Sequence, residues 1–135
     1  LGTSIDIAYV DKLHENDGTI EANSIIGNVE DKRVIIFDDM ISSAKTMLEA
    51  TEATQSAGGT VYAACATHGL FVGNANQYTT QLLDSDIKVV VTDSVRPYRL
   101  EDPVLDRLQI IPTHGLIGEA IRRIHNEESV SGLIG

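Results

Sequence analysis

Hydrophobic residues along this chain fall into short runs separated by polar or helix-patterned stretches. Five runs are continuously apolar and rich in β-branched residues, which is typical of strands buried on both faces of a sheet. They lie at residues 5–10, 34–37, 61–66, 87–92 and 108–111. The sequence therefore predicts five short strands.

Between these runs, apolar residues recur at the spacing that places them on one face of a helix. The spacing predicts helices over residues 43–57, 74–83 and 116–126. Residues 15–22 are polar and contain an Asp-Gly pair, which indicates a loop or a hairpin. Strands that alternate with helices predict an α/β fold with a mostly parallel sheet and helices on both faces. Since no repeat or linker interrupts the chain, we expect a single domain over residues 1–135.

Composition and charge exclude several classes of protein. Apolar residues make up 42% of the chain and charged residues 22%, which is the balance of a globular protein. No apolar run approaches the roughly 20 residues of a membrane span, and the N-terminus lacks the pattern of a secretory signal. Because a net charge of −10 repels a nucleic-acid backbone, we expect neither a nucleic-acid nor a membrane partner. The lone cysteine, Cys65, excludes an intramolecular disulfide, and we expect a cytoplasmic protein.

One segment combines residue types that bind phosphate and sugar. The predicted strand 34–37 runs into Asp38 and Asp39, and a turn rich in small and hydroxyl side chains then leads into a helix. That turn consists of Ser42, Ser43, Ala44, Lys45 and Thr46. Free N–H groups and the helix dipole favour a phosphate there, while carboxylates accept hydrogen bonds from sugar hydroxyls. The alternative is structural, because Asp and Ser are also ordinary helix N-cap residues.

The stretch from Asp38 to Thr46 resembles the phosphoribosyl pyrophosphate (PRPP) motif of the type I phosphoribosyltransferase fold. More narrowly, the chain resembles the C-terminal half of the ribose-phosphate pyrophosphokinase (PRPP synthetase) family over nearly its whole length. Segments outside the motif carry this resemblance: residues 25–27 (IIG), 66–75 (ATHGLFVGNA), 118–124 (GEAIRRI) and 126–131 (NEESVS).

The resemblance implies transfer of the diphosphoryl group of ATP to O1 of ribose 5-phosphate, which gives PRPP and AMP and requires Mg²⁺. In the family pattern Asp38 and Asp39 hold the ribose hydroxyls, and residues 42–46 cradle the 5-phosphate. No residue is assigned as a metal ligand. Lys45 stands where the family has a small residue, and we expect its side chain to point to solvent rather than to the phosphate.

Two further departures from the family pattern bear on catalysis. The family carries a mobile loop with a lysine and, two residues on, an arginine, whose charges stabilise the transferring phosphates. Lys12 matches the lysine, but His14 replaces the arginine, and histidine is mostly neutral at pH 7. The family's N-terminal domain and the first strand–helix unit of its C-terminal domain have no counterpart here. ATP binding is therefore expected only with a nucleotide-binding domain, and the resemblance implies a homo-oligomer because family enzymes build ATP sites between subunits.

Other polar residues follow predicted strands, and for His68 a structural role is favoured over ligand contact. The four histidines lack metal-ligand spacing. The resemblance implies an allosteric phosphate or ADP site that includes Ser129 and Ser131, although Ile134 replaces the family's usual aromatic residue near the C-terminus.

Three functional hypotheses stay open at this point. The first is the ribose 5-phosphate- or PRPP-binding part of a ribose-phosphate diphosphokinase in nucleotide biosynthesis, inactive as an isolated chain. The second is a non-catalytic binding or regulatory homologue, which His14 supports. The third is a stand-alone phosphoribosyltransferase, against which the segment around His68 argues.

Overall fold

The computed structural model describes residues 5–13 and 22–133. Its strands, in chain order, are β1 (Tyr9–Leu13), β2 (Ala22–Ile26), β3 (Arg33–Ile41), β4 (Thr60–Gly69), β5 (Lys88–Thr92) and β6 (Gln109–Ile111). The helices are α1 (Lys45–Ser56), α2 (Ala75–Asp84), α3 (Asp102–Leu105) and α4 (His114–His125), followed by a 3-10 turn at Ser131–Leu133. The three helices predicted from spacing are confirmed, and α3 and the final turn are additions that the pattern did not predict.

The four later strands form a parallel sheet in the order β3-β4-β5-β6. The helices in its connections complete the predicted α/β fold with a mostly parallel sheet. Each strand is near-continuously apolar, as parallel strands beneath helices are. Because neighbouring parallel strands run in the same direction, the carboxyl ends of all four lie at one edge of the sheet.

Helices α1 and α2 pack on one face of the sheet and bury the core there. Alternate residues of β4 and β5 point into this core, and the apolar positions of both helices meet them. Buried members are Met47 from α1, Leu82 and Leu83 from α2, and Val61, Ala64, Ala66, Val89 and Val91 from the strands. Consistently, the register aligns Ile36, Ala64 and Val89 across three strands.

The opposite face of the sheet is uncovered within the described residues. Ile35 and Phe37 of β3 lie on it and are 50% and 77% exposed. Helix α4 has an apolar face of its own but no buried residue, so it adds no second helical layer over the described sheet. Its exposed apolar side chains are Leu116, Ile117, Ile121 and Ile124.

A bulge interrupts the pairing of β3 with β4. Val34 pairs with Val61, but the next residue of β3, Ile35, pairs with Ala63, so Tyr62 is the additional residue. Two cations stack on its ring, with Arg33 at 4.4 Å and Lys88 at 4.6 Å from the ring centroid. The hydrogen bond from the Lys88 ammonium, together with its charge, lowers the pKa of the Tyr62 hydroxyl.

The prediction of a sheet strand over residues 5–10 is wrong. Residues 5–8 form no strand, and β1 pairs antiparallel with β2 in a separate two-stranded sheet, Tyr9 opposite Ile26. A polar contact and a close approach hold the chain there: Lys32 Nζ binds Asp6 at 2.7 Å, and Ala8 lies against Gly27. The antiparallel pair agrees with a hairpin around residues 15–22, although residues 15–21 lie outside the described ranges.

None of the helices in residues 5–13 and 22–133 has the length and hydropathy needed to cross a membrane.

The uncovered sheet face and the exposed apolar face of α4 together predict that the 135-residue chain self-associates. Contiguous exposed apolar side chains gain free energy by contact with another protein surface. In sedimentation velocity at micromolar concentration, we expect species heavier than a monomer, and we expect Phe37→Ser with Ile121→Ser to shift the distribution toward monomer. Tyr98→Ser is the control, because Tyr98 is 65% exposed but lies in the loop after β5. A wild-type chain that sediments as a compact monomer would contradict the prediction.

Candidate functional site

Polar side chains line the carboxyl edge of the parallel sheet. Asp38 and Asp39 lie near the end of β3, and Thr67 and His68 lie at the same level on β4. Asp93 follows β5, and Thr113 follows β6. Parallel pairing thus gathers at one edge residues that are far apart in the sequence. This edge is where open α/β sheets bind their ligands.

The turn between β3 and α1 has an unusual backbone. Ala44 occupies the N-cap position in the left-handed conformation, with φ of 68°, and it is only 3% exposed. Its carbonyl accepts the first helical hydrogen bond from Leu48 N at 3.0 Å. The N-cap residue itself offers no side-chain cap, and Lys45 N donates a hydrogen bond to Ser43 Oγ at 3.4 Å. The hypothesis that Asp and Ser serve here as ordinary N-cap residues is therefore wrong.

The uncapped turn and the two carboxylates border one cavity. It has a volume of about 190 Å³ and is lined by residues 38–44 with Thr46 and Met47. Asp38 and Asp39 are both exposed, and Asp39 N donates to Asp38 Oδ1 at 2.8 Å. The residues that line the cavity thus include two carboxylates, of Asp38 and Asp39, and three hydroxyl side chains, of Ser42, Ser43 and Thr46. Such a surface can bind a ligand with hydroxyls at one end and an anion at the other.

Lys45 lies at the first position of α1. Its ammonium is 3.2 Å from Glu49 Oε1, one helical turn further on, and its side chain is 58% exposed. The ion pair directs the charge along the helix, so anion binding by the turn would depend on its N–H groups and hydroxyls.

A second polar network ties the loops after β5 and β6 to the sheet. His68 Nδ1 lies 2.8 Å from Ser94 Oγ, and the hydroxyls of Thr92 and Ser94 donate to the Thr67 carbonyl at 2.7 and 3.1 Å. The sequence marked these residues only singly, as polar positions after strands. Their pairing depends on the order of the strands, which no pattern in the sequence indicates.

Asp93 is the centre of the adjoining loop contacts. Its Oδ1 accepts hydrogen bonds from Thr113 Oγ1 at 2.5 Å and from Thr113 N at 2.8 Å. His114 Nδ1 lies 3.6 Å from Asp93 Oδ2. These hydrogen bonds from Thr113, and to a lesser degree His114, lower the pKa of Asp93. The carboxylate is therefore charged and holds the start of α4 at the sheet edge.

The predicted catalytic loop is only partly described. Lys12 lies on β1 opposite Asn23, and His14 lies outside the described residues.

Ser129 and Ser131 lie in the C-terminal segment after α4. Arg123 Nη1 donates to the Ser129 carbonyl at 3.1 Å, and Ser131 N donates to Ser129 Oγ at 3.3 Å. Arg122 forms ion pairs with Glu119 at 2.8 Å and with Glu128 at 2.9 Å. These contacts fold the segment back on α4, and they do not include the turn between β3 and α1.

Within residues 5–13 and 22–133, no group of three or more His, Cys, Asp or Glu side chains could hold a metal ion. Mg²⁺ typically takes one or two carboxylates together with phosphate oxygens of a ligand, and Asp38 and Asp39 are the carboxylates that border the cavity.

Comparison with known proteins gives one consistent result. A family model described as the phosphoribosyl synthetase-associated domain matches residues 18–135. A ribose-phosphate pyrophosphokinase from Thermotoga maritima is 41% identical over 134 residues, which is 98% of this chain and 40% of that protein. A ribose-phosphate pyrophosphokinase from Haemophilus ducreyi is 37% identical over 129 residues, which is 95% of this chain and 40% of that protein. The chain thus spans about 40% of the length of these curated relatives.

A solved structure supports the fold independently. The phosphoribosylpyrophosphate synthetase from Mycobacterium smegmatis superposes with a TM-score of 0.64, at 24% identity, over 81% of this chain and 35% of that one.

The ion pairs of Glu119 predict a measurable titration. Hydrogen bonds from Arg122 and Arg123 lower the pKa of Glu119 from 4.5 to about 2. Because this pKa is lower in the folded than in the unfolded chain, the ion pairs stabilise the fold above about pH 4.5, and that contribution is lost as the pH falls toward 2. We expect a carboxyl-carbon NMR titration of Glu119 with a midpoint near 2 that moves up in Arg122→Gln. Arg107→Gln, which breaks the separate pair with Asp84, should leave it unchanged; a wild-type midpoint near 4.5 would contradict the described geometry.

Proposed function

The chain belongs to the phosphoribosyl synthetase-associated domain family, and on this premise we propose that it supplies the ribose 5-phosphate-binding part of a ribose-phosphate diphosphokinase. The observation that carries the proposal is the cavity between β3 and α1. Two exposed carboxylates and an uncapped helix N-terminus border the same 190 Å³ space. A sugar phosphate has the matching chemistry, with hydroxyl donors at one end and a dianion at the other.

In the proposed complex, the 5-phosphate oxygens accept hydrogen bonds from first-turn N–H groups and from Ser42, Ser43 and Thr46. The helix dipole adds to this attraction. Asp38 and Asp39 accept hydrogen bonds from the ribose hydroxyls, which fixes the ring relative to the phosphate. The buried, left-handed Ala44 keeps the turn open toward the ligand, because its small side chain points into the core.

The reaction then needs an ATP site beside the bound ribose. The O1 hydroxyl attacks the β-phosphorus of ATP and releases its proton to solvent, an O1–P bond forms, the bond to the bridging oxygen of the α-phosphate breaks, and AMP leaves with that oxygen. Mg²⁺ enters as part of the magnesium–ATP substrate and neutralises phosphate charge. The contribution of this chain is positioning, which is the main source of catalysis in phosphoryl transfer. We assign Lys12 to the loop that faces the transferring phosphates. We also place the reaction in nucleotide biosynthesis, in the cytoplasm.

A non-catalytic binding or regulatory role is the second candidate, and one observation favours it. His14 stands where the family resemblance expects an arginine, and a neutral imidazole lacks the guanidinium fork that binds phosphate oxygens. Both candidates share ribose 5-phosphate as ligand, so they separate on turnover and not on binding. An allosteric role for Ser129 and Ser131 would fit either of them.

Binding of ribose 5-phosphate should depend on Asp39. Asp39→Ala removes a charged acceptor of ribose hydroxyls, and we expect binding to weaken by about 1–3 kcal/mol. Titration calorimetry measures the change. Glu52→Ala is the matched control, because it removes the same charge from an exposed position on α1 away from the cavity. Equal affinities of Asp39→Ala and wild type would refute the assignment.

The 135-residue chain assayed by itself should release no measurable AMP. The chain spans about 40% of the curated relatives, and the transferring phosphates need a nucleotide site and several cations. Loss of one such electrostatic contact lowers a rate by a factor of about 10²–10³. The assay follows AMP from ATP, Mg²⁺ and ribose 5-phosphate at high protein concentration. Turnover within tenfold of a complete family enzyme would contradict the prediction.

The role of His14 is tested in the same assay. In a longer parent protein that contains this sequence, His14→Arg should raise the rate if His14 occupies the position of the loop cation. An unchanged rate would place that cation elsewhere.

A further inference from the structure

The loop that follows β4 lies directly against the turn that follows β3. Ile41, the last residue of β3, is 1% exposed, and its carbonyl accepts hydrogen bonds from Leu70 N at 2.9 Å and Phe71 N at 3.3 Å. The Ser42 carbonyl accepts from Val72 N at 2.8 Å. These three bonds extend the β3–β4 pairing beyond both strands. They fix the peptide planes at the entrance to the turn, from which the next residues project.

Phe71 has a backbone conformation that its side chain does not favour. Its φ is 47°, in the left-handed region that non-glycine residues with large side chains rarely adopt. The strain persists because the ring is anchored: Phe71 is 1% exposed and belongs to the same core cluster as Ile41, Ala44 and Met47. Strain that the surroundings maintain in this way concentrates where a backbone must be held for function.

Gly69 explains how the ring reaches this position. A Cβ atom at Gly69 would lie 2.5 Å from Phe71 Cε2, which is too close for any contact, and at a tight 3.2 Å from Val91 Cγ1. Because Gly69, at the end of β4, has no side chain, the Phe71 ring can occupy the space next to it. The ring in turn packs in the core that holds Ala44, the second left-handed residue of this region, with φ of 68°.

From this geometry we propose that Phe71, seated against Gly69, is a positioning residue for the phosphate-binding turn. It acts through the backbone, because its ring fixes the Leu70–Val72 peptides and these peptides hold the carbonyls of Ile41 and Ser42. The turn that these carbonyls lead into lines the cavity through Ser42, Ser43, Ala44 and Thr46. The inference rests on the proposed function for its ligand, but the ordering of the turn can be measured without any ligand.

The experiment compares variants of the ring and its seat with a core variant of similar stability. Phe71→Leu replaces the ring with a smaller aliphatic side chain, and Gly69→Ala displaces the ring without altering Phe71. Leu82→Ala is the control, since Leu82 is fully buried in the same core but lies near the far end of α2. Urea unfolding places the variants on one stability scale, and all binding is measured where each is fully folded by circular dichroism.

We expect Phe71→Leu and Gly69→Ala each to weaken ribose 5-phosphate binding by tenfold or more, and Leu82→Ala to change it by less than twofold. Amide hydrogen exchange without ligand is the second readout. Exchange of the N–H groups of Leu70 and Val72, which donate to the Ile41 and Ser42 carbonyls, should accelerate at least tenfold in the two former variants relative to Leu82→Ala. If Phe71 and Gly69 contributed only to core stability, binding and amide exchange would change to a similar extent in all three variants.

The outcomes separate this inference from the proposed function. If wild type does not bind ribose 5-phosphate but exchange of the Leu70 and Val72 N–H groups accelerates selectively, the proposed function fails and the positioning role stands. If wild type binds and neither readout distinguishes Phe71→Leu from Leu82→Ala, the positioning role is overturned. If Phe71→Leu does not fold, Gly69→Ala decides by the same two readouts.

Discussion

Parallel pairing of β3 with β4 is the constraint on which the rest of the structure depends. It fixes the direction in which both strands end, and it brings the residues after β4 against the turn after β3. The sheet edge, the cavity and the polar network around His68 and Asp93 all follow from the same strand direction. A sheet with one strand reversed would keep much of its buried apolar area but would divide these groups between two edges.

Electrostatics pose a particular problem for this site, because a chain with a net charge of −10 is proposed to bind a dianion. Asp38 and Asp39 would repel a phosphate placed beside them. In ribose 5-phosphate, the proposed ligand, the ribose ring separates the hydroxyls, which need acceptors, from the phosphate, which needs donors. The phosphate therefore does not have to lie beside the two carboxylates. The attraction for the phosphate then comes from peptide N–H groups at a helix terminus, whose effect is local and does not depend on the net charge of the surface.

Much of the fold could be predicted from the sequence, and the exceptions have physical causes. The runs that became β3 to β6 are apolar enough to be recognised alone, and α1, α2 and α4 have clear helical spacing. The run at residues 5–10 has the same composition as a sheet strand, but pairing partners are a property of the tertiary structure that composition does not encode. Residues 22–26 escaped prediction for the same reason.

The candidate site was predictable in its residue types but not in its geometry. The acids and hydroxyls around residues 38–46 are visible in the sequence. The left-handed backbone at Ala44 and Phe71 is not, because local preferences favour glycine at such positions and here the core overrides them. A cap role for Ser43 was locally reasonable as well, but the helix begins one residue later than that role requires.

The bulge in β4 has a consequence for the length of the chain. The ladder is regular on both sides of Tyr62, since Val34 pairs with Val61 and Ile35 with Ala63. A chain that lacked this one residue could keep every one of those pairs and lose only the ring between Arg33 and Lys88. β4 therefore contains one residue, Tyr62, that its pairing does not require. Deletion of Tyr62 would leave the carboxyl end of β4, where the candidate site lies, in place. Sequences of different length can accordingly share this sheet, with the difference absorbed at the end opposite the candidate site.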